Sequence, residues 1–147
     1  MVQPYSVSNQ EQVVDTMIGL TRLTSLHRAI VAGSGSMEFY LALRRRGFLR
    51  AATAATCRVP KGQHSVGLIA GQNSLQAIEA TLVELSPFLA TNATVAVLID
   101  SREIGAALRI RGKLEQMGFR IEAGVRCQEG VVLSAIRHGS SQMEMAA

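Results

Sequence analysis

The residues with the clearest chemical potential form a glycine loop: Gly33, Ser34, Gly35 and Ser36. The loop follows a short apolar run, Ala29–Ala32, and precedes a segment with helical spacing, Met37–Arg46. Glycines let the backbone approach a ligand, and the N–H groups at a helix start favour an anion or a carboxylate. The pattern predicts that these four residues bind a cofactor. A tight strand-to-helix turn without a ligand is the alternative.

The residues after the loop argue against two cofactor classes. A dinucleotide fingerprint requires a third glycine at position 38, where this chain has Glu38. An ATP-binding loop requires a lysine followed by a hydroxyl residue, and neither follows Ser36. We therefore expect neither NAD nor ATP.

A second group of polar residues follows two later apolar runs. Gln72 and Asn73 come after Ser65–Ala70, and Asp100 comes directly after Ala93–Ile99. Open α/β sheets bind ligands at the carboxyl ends of their strands. These three residues are therefore predicted to face a substrate, with Asp100 acting as a base or orienting an acceptor. The alternative is that Asn73 and Asp100 cap the helices that follow.

The remaining candidate residues favour structural roles. Arg44, Arg45, Arg46 and Arg50 are interpreted as a solvated helix end, and we expect no binding of nucleic acid. The histidines lack metal-ligand spacing, so no metal site is predicted. The two cysteines, Cys57 and Cys127, have no base near them in the sequence, and both are interpreted as reduced and buried.

The elements that must position these residues alternate between strands and helices. A leading helix carries Val13 and Met17, and the later helices are predicted from two apolar stripes: Leu75, Ile78, Leu82 and Leu85, then Ile104, Leu108 and Leu114. Arg50–Thr56 is a further candidate strand, and Phe119–Arg126 and Val131–Arg137 form an antiparallel hairpin. The order predicts an α/β fold of three layers, Rossmann-like, with a mainly parallel sheet that ends in the hairpin.

Length and composition set the remaining expectations. The 147 residues suit a single domain, 1–147, with a leading tail and helix (1–26), an α/β core (27–138) and a frayed tail (139–147). The 48% of hydrophobic residues exclude a disordered chain, while no apolar run is long enough to span a bilayer. Without a signal-peptide pattern we expect a cytoplasmic protein, and the aliphatic, weakly charged sequence suggests a homodimer.

These patterns resemble the class I S-adenosylmethionine-dependent methyltransferases. The similarity lies in the order of four segments, Val31–Ser36, Leu68–Gly71, Leu89–Ile99 and Leu114–Phe119, the last of which is similar to the family's helix, Gly-Phe and strand ending. The resemblance implies S-adenosylmethionine as cofactor, with Gly33, Ser34 and Gly35 at its methionine part. It also implies methyl transfer to an acceptor beside Gln72 and Asn73, with no obligatory catalytic side chain.

The sequence departs from the family pattern at three places. Val31 stands where the family has an acidic residue, and Ala54-Ala55-Thr56 lacks the acid that holds the ribose hydroxyls. Between the second strand and Ser65 lie only Cys57–His64, so the family's third strand and its preceding helix are missing. These departures favour an alternative function, a catalytically degenerate protein that serves as an interaction or regulatory subunit.

Overall fold

The computed structural model describes residues 4–70, 74–100, 103–128 and 130–137. Helices and strands alternate along them. The elements are α1 (Pro4–Thr21), β1 (Ala29–Ala32), α2 (Ser36–Arg45), β2 (Ala51–Thr53), β3 (His64–Ile69), α3 (Leu75–Leu85), a 3-10 turn (Ser86–Phe88), β4 (Leu89–Ile99), α4 (Ala106–Gln116), β5 (Phe119–Cys127) and β6 (Gly130–Arg137).

The strands form one six-stranded sheet in the order β2-β1-β3-β4-β6-β5. The first four strands are parallel, β6 runs antiparallel to β4, and β5 pairs with β6 as a hairpin. The predicted α/β fold with an antiparallel end is confirmed. The carboxyl ends of β1, β3 and β4 share one edge, and the glycine loop follows β1 there.

The core has two halves, one on each face of the sheet. Because successive strand residues point to opposite faces, Val31 and Leu68 pack beneath α1 and α2, whereas Ile30 and Ile69 pack beneath α3 and α4. The predicted stripe of α3, from Leu75 to Leu85, is buried as expected. Helices therefore cover both faces, which makes three layers.

Strand β2 reaches β3 through a short connection, residues 54–63, which we call the connector. All ten of these residues are described, and they contain no helix and no strand. Strand β2 is nevertheless parallel to β1, with Ala29 opposite Ala51. The connector must therefore pass β1 to reach β3, which pairs with the other side of β1.

Several predicted boundaries were wrong. Helix α1 begins at Pro4, so little of the segment 1–26 precedes it as a leading tail. Strand β2 is three residues long rather than the predicted Arg50–Thr56, and β4 begins at Leu89, before the predicted Ala93. The first residue of β4, Leu89, pairs with His64, and a bulge separates this pair from the rest of the ladder. Strand β4 therefore starts before the purely apolar run.

The predicted apolar stripe of the last helix was wrong at two of its three residues. Ile104 lies before the helix and is 103% exposed, and Leu108 is 70% exposed. Leu114 is buried as predicted, and helix α4 also buries Ala106 and Ile110. The helix begins after Gly105, whose φ of 78° is a conformation that favours glycine. In the described residues, no helix combines the length and the apolar character needed to cross a bilayer.

Two glycines test the backbone in opposite ways. Gly130, at φ 151°, begins β6, and a Cβ there would lie 2.2 Å from the Ile99 carbonyl oxygen. We expect Gly130→Ala to lower the free energy of unfolding by at least about 2 kcal/mol, because backbone must move. Gly112, inside α4, has open space around it, so Gly112→Ala should raise it by about 0.5–1 kcal/mol. Urea unfolding measures the free energy of unfolding of both variants. Equal changes in the two variants would contradict the register of β6 against β4.

Candidate active site at the carboxyl edge

The glycine loop turns the chain sharply from β1 into α2. Gly33 has a φ of 110°, a value that favours glycine, and its carbonyl oxygen accepts a hydrogen bond of 3.1 Å from the Ser36 N–H. Gly35 is the N-cap of α2, and its carbonyl oxygen accepts a bond of 3.1 Å from the Phe39 N–H. Helix geometry leaves the N–H groups of Met37 and Glu38 without intrahelical acceptors. The loop thus presents donors to the carboxyl edge.

One cavity lies on the α1 and α2 side of this loop. This carboxyl-edge cavity has a volume of about 220 Å³. Gly35 and Asp100, two of the predicted site residues, both line it. The other lining residues are Gln10, Val13, Glu38, Phe39, Ala70 and Leu98. Gln72 and Asn73 fall outside the described residues, so their predicted role stays a prediction.

A larger cavity lies on the α3 side of the loop. This connector cavity has a volume of about 390 Å³ and takes in Gly33 and Ser36 from the loop. Its other walls are Val31, Ala32, Ala54, Ala55, Thr81, Glu84 and Phe88. The structure therefore places the glycine loop between two cavities, with Gly35 at one, Gly33 and Ser36 at the other, and the Ser34 residue exposed.

Asp100 does not cap the helix that follows it. The N-cap of α4 is Gly105, and no side chain caps this helix. Asp100 instead lies at the end of β4, beside the glycine loop in the carboxyl-edge cavity. The capping interpretation was wrong for this residue, and for α3 the cap is Ser74, whose hydroxyl oxygen accepts a 3.1 Å bond from the Ala77 N–H.

The structure shows where the residues lie that replace the two acidic residues of the family pattern. Val31 is fully buried in the core beneath α1 and α2. Ala54 and Ala55, which follow β2, line the connector cavity with small apolar side chains. Among the residues that line this cavity, Glu84 carries the carboxylate, and it comes from α3 rather than from the end of β2.

The arginine cluster behaves largely as the helix end that was predicted. Arg46 bonds to Glu11 and, at 3.1 Å, to Oδ1 of Asp15, which ties α2 to α1. These carboxylates raise the pKa of Arg46 against the lowering effect of burial. Arg44 lies 5.7 Å from the Tyr40 ring centre and Arg50 donates to the Leu26 carbonyl oxygen.

Sequence reasoning missed a contact between a cysteine and a histidine. Cys57 Sγ lies 3.8 Å from Nε2 of His64, and both cysteines are partly exposed rather than buried. His64 itself is 1% exposed. The expectation that Cys57 has no base near it was wrong, because the connector folds back on the start of β3. The residues between the two are neither helical nor extended, so no periodic signal in the sequence marked this contact.

Solved methyltransferase structures share this architecture. A SAM-dependent methyltransferase from Aquifex aeolicus aligns with a TM-score of 0.59 at 11% identity, over 86% of this chain and 88% of that one. The release-factor-specific protein-(glutamine-N5) methyltransferase from Alicyclobacillus acidocaldarius aligns with 0.56 at 18% identity, over 88% and 92%. Geranyl diphosphate C-methyltransferase from Streptomyces coelicolor, in complex with S-adenosyl-L-homocysteine, aligns with 0.55 at 9% identity, over 87% and 80%.

The chain has the fold of the SAM-dependent methyltransferases. No protein-family model matches the sequence, and no curated protein sequence matches it either. The likeness at these low identities is one of fold. In this chain the connector joins β2 to β3 without a helix.

Burial gives His64 a clear pH signature. Burial lowers its pKa because a charged imidazole would lose hydration, the Arg28 charge acts in the same direction, and the hydrogen bond to the Phe88 carbonyl opposes both. The unfolded chain binds this proton near pH 6.5, the folded chain only at lower pH. Below about pH 6.5 the unfolded state therefore holds more protons, and the free energy of unfolding falls as the pH falls.

We expect His64→Asn to remove this part of the pH dependence. Asparagine can still donate to the Phe88 carbonyl oxygen but does not titrate. Urea unfolding at several pH values between 5 and 8 measures the slope in both proteins, and the comparison cancels the other histidines. Parallel slopes for wild type and variant would show that His64 is not held neutral.

Proposed function

We propose that this chain is an S-adenosylmethionine-dependent methyltransferase that binds its cofactor at the glycine loop. The observation that carries the proposal is the position of Gly33–Ser36, which lies at the carboxyl end of β1 between two cavities, in a chain with the methyltransferase fold. Open α/β sheets bind ligands at this edge. The free N–H groups at the start of α2 suit the carboxylate of the cofactor's methionine part.

The connector cavity suits the nucleoside part of the cofactor. Its volume of about 390 Å³ lies within the range of ligand pockets, roughly 300–1,000 Å³, whereas the carboxyl-edge cavity is smaller, at about 220 Å³. Ala54 and Ala55 offer apolar surface to a base, while Glu84 and Ser36 offer oxygen atoms to hydroxyl groups. We propose that Glu84 accepts the hydroxyl hydrogen bonds for which the end of β2 has no acid.

The carboxyl-edge cavity suits the methyl acceptor. Asp100 and Glu38 both line it, and Ala70, which precedes Gln72 and Asn73 in the chain, lines it as well. The cofactor supplies the methyl group, and the protein contributes by holding donor and acceptor in line. In this proposal Asp100 orients the acceptor or accepts its proton, and Gln72 and Asn73 contact the acceptor.

Gly35 provides the decisive variant for cofactor binding. Its φ of −97° is open to any residue, so Gly35→Leu adds a side chain at the cavity without the backbone strain expected at Gly33. We expect wild type to bind S-adenosylhomocysteine with a micromolar Kd in calorimetry, and Gly35→Leu to weaken binding at least about tenfold. Gly112→Ala, far along α4, is the control and should bind like wild type.

The same titration separates the proposal from its alternative. Heat from wild type that is absent with Gly35→Leu supports the enzyme, provided that thermal unfolding shows both proteins folded. No heat with wild type, up to millimolar ligand, overturns it. The buried Val31 and the alanines after β2 would then favour the interaction or regulatory subunit.

Glu84→Gln tests the nucleoside contact. Replacing the carboxylate by an amide removes a charged acceptor, and we expect the Kd of S-adenosylhomocysteine to rise about tenfold, in line with about 1.5 kcal/mol for a hydrogen bond to a charged group. Adenosine alone should weaken in the same proportion. Glu115→Gln, an exposed carboxylate on α4, is the matched control. Equal affinity of the Glu84 and Glu115 variants would remove Glu84 from the site.

We propose further that the protein acts in the cytoplasm as a homodimer. Cys57 and Cys127 are both free thiols, which suits a reducing compartment. Ile104 and Leu108 are large apolar side chains that are exposed around the start of α4, and a second copy could cover them. Sedimentation of wild type and Leu108→Gln gives the mass of each, and a monomeric wild type would contradict the dimer.

A further inference from the structure

The tautomer of His64 is fixed by its surroundings. Nδ1 lies 3.3 Å from the Phe88 carbonyl oxygen, which can only accept a hydrogen bond. In the neutral ring Nδ1 therefore carries the proton, and Nε2 is left as an acceptor. Nε2 is the atom that lies 3.8 Å from Cys57 Sγ.

The thiol of Cys57 thus has two acceptors of different kinds. The Val59 carbonyl oxygen lies 3.7 Å from Sγ, and Nε2 of His64 lies at 3.8 Å. A carbonyl oxygen accepts a hydrogen bond but does not take the proton, whereas an imidazole does. Thiol, base and a third group that orients the base form the arrangement of an activated nucleophile.

Cys127 is an internal control for the reactivity of Cys57. This second cysteine is also partly exposed, at the end of the edge strand β5. Among the residues that the structure describes, no histidine nitrogen lies within hydrogen-bond distance of its sulfur. Of the two thiols, Cys57 is thus the one with a histidine of the described chain beside it.

We propose that Cys57 and His64 form a reactive thiol–imidazole pair whose substrate is a low-molecular-weight disulfide. In the reaction, the thiol proton moves to Nε2 of His64 and Sγ attacks one sulfur of the disulfide. The old S–S bond breaks as the new one forms between Cys57 and half of the reagent. The other half leaves as a thiolate and takes the proton from His64. The Cys57 sulfur is oxidised and the departing sulfur is reduced, so no further reactant is needed.

The surroundings of His64 keep Nε2 available below neutral pH. Within the described part of the chain, the charged or titratable groups that act on the ring are Cys57 and Arg28, and the Phe88 carbonyl oxygen is its other polar contact. Burial and Arg28 both lower the pKa of His64, so the imidazole remains an acceptor at pH values where an exposed histidine is charged. Neither Cys57 nor His64 lines the connector cavity, although Phe88 lines it and also contacts His64.

Dithiodipyridine, a small disulfide, is the probe, and peptide mass spectrometry gives the rate at each cysteine. At pH 7 we expect Cys57 to react at least about tenfold faster than Cys127, and His64→Asn to slow Cys57 about tenfold or more while Cys127 is unchanged. His27→Asn, at a partly exposed histidine whose Nδ1 accepts a hydrogen bond from the Thr24 N–H, is the control and should leave both rates unchanged.

Cys127 also reports on folding. If His64→Asn unfolds the chain, both thiols accelerate together, and the wild-type pH profile then decides. The advantage of Cys57 over Cys127 should persist below pH 6.5 and disappear as His64 takes up its proton. An equal rate at the two cysteines of folded wild type, an unchanged Cys57 rate in a folded His64→Asn, or an advantage that survives full acidification would each overturn the proposal.

Discussion

The short connection between β2 and β3 is the constraint on which the rest of this structure depends. Two parallel strands of one sheet normally need a crossover of a dozen or more residues, usually with a helix that covers the sheet. Here residues 54–63 make the passage without one, although β1 lies between the two strands they join. On the face of the sheet that α3 covers, the connector rather than a second helix therefore lies beside β1 and β2. The cavity lined by Ala54, Thr81 and Phe88 occupies this place.

The same constraint explains why the glycine loop has two different sides. Towards α1 and α2 the sheet is closely covered, and the cavity there is small and carries the carboxylates of Glu38 and Asp100. Towards α3 the cover is incomplete, and the cavity is larger and mostly lined by small residues. A long ligand with a charged end and an aromatic end matches this asymmetry, because the positive start of α2 lies between the two sides. The connector, which contains no helix, thus leaves the larger cavity on the α3 side of the loop.

The sequence predicted what depends on local periodicity and failed where long-range packing decides. Local sequence patterns mark the apolar runs of β3 and β4, the buried stripe of α3 and the closing hairpin. The parallel sheet follows from the order of these elements. In α4, Leu114 belongs to both the predicted and the buried set, and it is packing against the sheet that buries Ile110 and leaves Leu108 exposed. The approach of Asp100 to Gly35 required the strand order, which periodicity does not give. The contact of Cys57 with His64 required the path of the connector, which no local preference sets.

Phe88 contacts both features that the path of the connector creates, the connector cavity and the His64 ring beside Cys57. Its side chain lines the connector cavity and lies edge-on to the His64 ring, with 6.4 Å between the ring centres, while its carbonyl oxygen fixes the tautomer of that ring. Phe88 belongs to the 3-10 turn between α3 and β4, and the connector reaches the same turn, where the Gly62 N–H donates to the Pro87 carbonyl oxygen at 3.0 Å. A ligand in the connector cavity would therefore contact the residue that orients the base of Cys57. Phe88 is therefore shared between the wall of the connector cavity and the surroundings of the Cys57 thiol.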